Sequence, residues 1–131
     1  MDLDILLSEA QELNVRVDMW AFPGHTKIAL LRQYEPGKGD WYPIASWKFK
    51  GHRTDIVLKR ALVGLSTRVD NFLVERAIYE DWMASLKVLW AKNRAAGLPA
   101  AYDQQQFFDF RATQAHRLTP IADPKGAELG R

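Results

Sequence analysis

Two histidines in matching contexts are the first residues with chemistry to offer. Trp20-Ala21-Phe22-Pro23-Gly24-His25 and Trp47-Lys48-Phe49-Lys50-Gly51-His52 both read Trp-x-Phe-x-Gly-His. Each is an aromatic strand end followed by turn residues. If the two strands flank a third in one meander, they run parallel. With neighbouring strands ~4.8 Å apart, their ends lie about 10 Å from each other. His25 and His52 could then face one ligand. Protonated imidazoles donate hydrogen bonds, Arg53 adds a bidentate cation, and the helix start at Thr54 or Asp55 adds free N–H groups. The chemistry this would support is anion binding, or work on a phosphate ester. Two histidines fall short of the three or four protein ligands of a typical zinc site, so no metal is expected. Six-residue windows sharing four identities arise by chance on the order of once in a chain this long. The first phrase also continues into a strand and the second into a helix, so they are not duplicated units.

Local charge is the second signal. Over the whole chain the formal net charge is only +2, but residues 41–60 hold Lys48, Lys50, Arg53, Lys59 and Arg60 against Asp55, a local +4. Trp41, Tyr42, Trp47 and Phe49 interleave with these bases. Basic grooves with aromatic platforms bind single-stranded nucleic acid. Strand alternation separates the two types, however, and lysines pointing out from an aromatic core also discourage edge-to-edge aggregation. The nucleic-acid candidates are therefore Lys48, Lys50, His52, Arg53, Lys59 and Arg60, with His25 beside them.

The elements that would position these residues follow from periodicity. Leu3, Leu6, Leu7, Ala10 and Leu13 mark an amphipathic helix over 2–13, with Asp2 and Asp4 at its positive end and Asn14 as its stop. Strand alternation follows over 15–22. Val15, Val17, Met19 and Ala21 share one face; Arg16, Asp18, Trp20 and Phe22 share the other. Two further strands are predicted over 27–34 and 41–50, with Pro43 marking an edge or a bulge. Short connections make the three an antiparallel meander.

From Leu58 the apolar spacing alternates four and three through Leu62, Leu65, Val69, Phe72, Tyr79, Met83, Leu86 and Trp90, interrupted at Arg76. One straight helix over this seam would be about 48 Å long, against a diameter near ~36 Å for a compact domain of this size. Gly64 and the Thr67/Asp70 pair suggest a break, giving helices over 54–65 and 67–95. Gly97 and Pro99 end the helical run. A further helix over 104–117, capped by Asp103, carries Phe107, Phe108 and Phe110. These either dock on the domain or form a partner surface. The expected architecture is thus α+β: an N-terminal helix, a three-stranded antiparallel meander, then a helical C-terminal half with one long or kinked helix. It forms a single domain over 1–118, and residues 119–131, rich in Pro and Gly, read as a mobile tail.

The helix–strand–strand–strand–helix order over residues 2–65 resembles the topology of double-stranded-RNA-binding domains. That family carries a lysine-rich motif at the start of its last helix. Gly51-His52-Arg53-Thr54-Asp55 occupies that place here, followed by Lys59 and Arg60.

Composition narrows the function classes. The 131 residues include no cysteine, so disulfides and thiolate metal sites are excluded, in keeping with a reducing cytoplasm. The opening Met1-Asp2-Leu3-Asp4 has no signal-peptide character, and no apolar run approaches a membrane span, so no membrane partner is expected. There is no nucleophile elbow, P-loop, dinucleotide fingerprint or metalloprotease motif, so no catalytic residue and no cofactor is assigned. The leading expectation is a small non-catalytic protein-binding module of the adaptor or inhibitor type found on mobile elements. It would act, or self-associate, through Tyr79, Met83, Leu86, Trp90, Phe107, Phe108 and Phe110. Nucleic-acid binding by segment 41–60 is the alternative, and phosphate chemistry at the His25/His52 rim the third.

Overall fold

In the computed structural model, residues 2–51, 53–99 and 104–129 are described. His52, the centre of one expected site, and Asp103, the expected cap, lie outside them. The chain divides into two compact units: Met1–Asp70 with Pro120–Arg131, and Asn71–Thr119.

The first unit is an α+β layer pair. Helix α1 (Leu3–Glu12) starts where the Asp2 carboxylate accepts from the Asp4 N–H, and it stops at Asn14, whose φ of 58° is left-handed. Strands β1 (Val15–Phe22), β2 (His25–Arg32) and β3 (Tyr42–Lys50) form the antiparallel meander expected from alternation. The first hairpin turns through Pro23-Gly24. Proline presets its own φ, and Gly24 supplies the left-handed φ of 83° that a side chain would resist. Pro43 sits at a bulge: Leu30 pairs with Ala45 but Leu31 with Pro43, leaving Ile44 as the extra residue.

Helix α2 (Thr54–Leu62) and the first residues of α3 (Leu65–Ala95) complete the layer. The break between them is at Val63-Gly64. Val63 is extended, and Gly64 has φ 72° with Ile121 so close that a Cβ would lie 2.8 Å from its Cδ1. The left-handed φ calls for glycine, whereas the Ile121 side-chain end could swing aside for a Cβ. Leu6 and Ala10 of α1 and Val57, Ala61 and Leu62 of α2 pack with Val15, Ile28, Leu30, Trp47 and Phe49 of the sheet in one core. Both helices therefore serve the same sheet face.

The stretch expected as a tail departs from that reading. Ala127–Leu129 form β4, antiparallel to β3 across Trp47–Phe49, and give the sheet the order β1-β2-β3-β4. Upstream, the Arg68 guanidinium donates to Ala122 O at 3.2 Å, Arg60 to Lys125 O at 3.0 Å, and the Trp47 indole N–H to Asp123 Oδ1 at 3.2 Å. Arg68 also lies 4.6 Å over the Trp47 ring. Burial pulls the Arg68 pKa down from its usual value, and the Asp123 charge opposes that.

The second unit holds the rest of α3 and helix α4 (Gln104–Thr113). Helix α3 ends in a paired C-cap: Leu98 N–H donates to Asn93 O at 2.7 Å and Gly97 N–H to Arg94 O at 3.2 Å, with Gly97 at φ 73°. Trp82 is the hub of an aromatic cluster, 6.1 Å from Phe107 and 5.4 Å from Phe110 between ring centres. Arg111 chelates Glu75, and Arg117 reaches Asp81 at 2.8 Å. Among the described residues, no helix is long and apolar enough to cross a membrane.

Candidate functional site

The two Trp-x-Phe-x-Gly-His phrases occupy opposite faces of the sheet. Register explains why. Trp20 pairs with Lys27, which pairs with Lys48; Trp47 instead pairs with Ile28, which pairs with Met19. The phrases are thus offset by one residue, and one residue reverses every side chain. Trp47 and Phe49 point to the helices and are each 1% exposed, while Trp20 and Phe22 point away and are 43% and 47% exposed.

The offset brings the first phrase's aromatics onto the face where the second phrase's lysines point. Two rows cross the sheet there. One runs Phe22, His25, Lys50; the next runs Trp20, Lys27, Lys48, Glu128. Lys27 Nζ sits 5.6 Å from the Trp20 ring centre, and the His25 ring stacks on Phe22 at 4.8 Å and 15°. Farther along, Arg16 holds Asp18 with two hydrogen bonds of 3.1 and 3.0 Å and lies 4.9 Å over Trp41. Trp20, Lys27, Ala29, Pro43, Ile44, Ala45 and Ser46 line a groove of about 440 Å³. Ala29 is buried although it shares this face. It is the small residue between larger neighbours and makes the groove's floor.

The expected basic set is divided by this geometry. Lys48 and Lys50 are on the outer face. Lys59 and Arg60 are on α2, which packs on the other face, and Arg53 is paired with Asp55 at 2.8 Å. The segment's +4 is therefore not one patch. His25 is on the outer face with Phe22. Its intended partner His52 lies outside the described residues, so the two-histidine rim has no geometry to support it. Among the described residues there is no cluster of three or more His, Asp or Glu that could hold a metal.

The helical candidates divide as well. Leu62, Leu65 and Val69 of the seam are core residues of the first unit. Leu86 is 1% exposed, Met83 and Trp90 are half-buried, and Phe107 and Phe110 are spent largely on Trp82. Tyr79 and Phe108 remain exposed. A hollow of about 510 Å³ opens among Tyr79, Trp82, Gln104 and Phe107.

Sequence reasoning left Trp20, Phe22 and Lys27 off the candidate list. The signal was available in Arg16 and Asp18, which share a face with Trp20 and Phe22 and mark it as the wet side. No protein-family model, curated protein or solved structure matches the chain.

Proposed function

We propose that this protein binds single-stranded nucleic acid on the outer face of its sheet. The observation that carries the reading is the pair of rows that each begin at an exposed aromatic of β1 and run across the sheet to lysines, Trp20 to Lys27 and Lys48, and Phe22 past His25 to Lys50. Residues two apart on a strand are about 6.8 Å apart, twice the ~3.4 Å axial rise per nucleotide of a stacked duplex strand, so the two rings match a strand whose bases are unstacked and drawn apart. An extended single strand can therefore lay successive bases on the two rings and its phosphates on the lysines. A duplex keeps its base faces inside the stack and offers no such contact.

The test is fluorescence anisotropy with a labelled 15-nucleotide single strand and the matching duplex. The single strand binds better, and three phosphate contacts give a log–log salt slope near about −2. Each stacked base is worth ~1–3 kcal/mol, so Trp20→Ala/Phe22→Ala weakens binding at least about tenfold. An unchanged affinity in that double variant, or indifference to salt, would refute the reading.

A second reading is kept for the helical unit. Exposed Tyr79 and Phe108 beside the hollow suit a protein partner or a second copy of the chain. Tyr79→Asp and Phe108→Asp should then abolish self-association in sedimentation velocity without unfolding the chain. A wild-type protein that stays monomeric at high concentration removes the self-association form.

A further inference from the structure

The outer face already holds an anion. Glu128 of β4 stands in register with Lys48, and its Oε1 lies 2.8 Å from Lys50 Nζ. The Lys50 hydrogen bond and charge, followed by the charges of Lys48 and His25, hold the Glu128 carboxyl below its ordinary pKa. Three bases from β2 and β3 thus act on a single carboxylate.

We infer that Glu128 is a built-in stand-in for a nucleic-acid phosphate, and that β4 is a self-inhibiting strand which the phosphate must displace. This rests on the nucleic-acid reading of the sheet face. β4 is suited to leave. It has three residues, Leu129 is 72% exposed, Glu128 is exposed, and Ala127 is the one that packs against the core. The upstream anchors at Ala122, Asp123 and Lys125 all precede Gly126, whose φ of 79° marks the turn into the strand. Releasing β4 leaves those hydrogen bonds in place. It frees Lys50 and Lys48 for phosphate, and it costs the three-residue β3–β4 pairing, the Ala127 contact with the core and one exposed ion pair, the last a small term.

The experiment compares the 131-residue wild type, Glu128→Gln and Glu12→Gln in anisotropy titrations with the labelled 15-nucleotide strand. Glu12→Gln makes the same charge change on exposed α1. Glu128→Gln should bind about threefold tighter or more, through the same three phosphate contacts as wild type. Glu12→Gln should barely differ from wild type. Equal gains in the two variants, or none in Glu128→Gln, overturn the inference. If Trp20→Ala/Phe22→Ala loses affinity while Glu128→Gln gains none, the binding face stands and the inhibitory strand falls. If the aromatic variant is unaffected yet Glu128→Gln outgains Glu12→Gln, the phosphate stand-in survives and the stacking face falls. If no protein binds the strand, both fall.

Discussion

Trp20 and Trp47 open the same six-residue phrase, yet one is half in solvent and the other is in the core. Nothing in the phrases themselves separates the two; pairing does. β2 aligns Trp20 with Lys48 and Phe22 with Lys50, so the second phrase's outward residues are its lysines and the first phrase's are its aromatics. Similar short sequences need not do similar work. Here the difference in facing turns a near-repeat into a surface that neither phrase could make alone.

The largest expected difference is in stability. Trp47→Ala empties a buried site and removes the indole donor to Asp123, and it should cost ~3–5 kcal/mol. Trp20→Ala, at an exposed position, should stay within about 1 kcal/mol. Urea unfolding of the two variants measures the contrast, and comparable losses would break it. Next comes binding, where the order reverses: Trp20→Ala/Phe22→Ala loses at least about tenfold in affinity while keeping its fold by circular dichroism. Asp123→Ala is smaller. It leaves the Trp47 N–H without its acceptor and should cost ~1–2 kcal/mol, again by urea unfolding, with oligonucleotide affinity unchanged. The smallest effect is the gain of about threefold from Glu128→Gln, which sharpens the comparison by showing what the lysines do when released.

Much of this fold was legible because its signals are local. The α1 periodicity, the alternation of β1, the proline at the β3 bulge and the glycine between α2 and α3 each act within a few residues. The facing of the two phrases was not legible, because a one-residue register offset is a long-range property. β4 was hidden for a related reason. Three residues in a Pro/Gly-rich stretch carry no period, and their place is set by Trp47, Arg60 and Arg68 far away in sequence. The basic segment misled by adjacency: Lys48 and Lys50 point away from the helices, while Lys59 and Arg60 ride on one. Along α2 and α3, the heptad phase marked Leu62, Leu65 and Val69 as one apolar seam, and all three are in the core. It could not tell a partner surface from a core, and Leu86 proved to be buried.

The central claim is that the first phrase's aromatics read a ligand which the second phrase's never touch. Heteronuclear NMR of the indole N–H groups tests both at once, with resonances assigned by Trp20→Phe and Trp47→Phe. On titration with the 15-nucleotide single strand, the Trp20 signal should shift or broaden progressively and by much more than the Trp47 signal, which feels only the release of the neighbouring β4. A ligand that moves Trp47 and leaves Trp20 unmoved, or that moves neither while binding, would contradict the account.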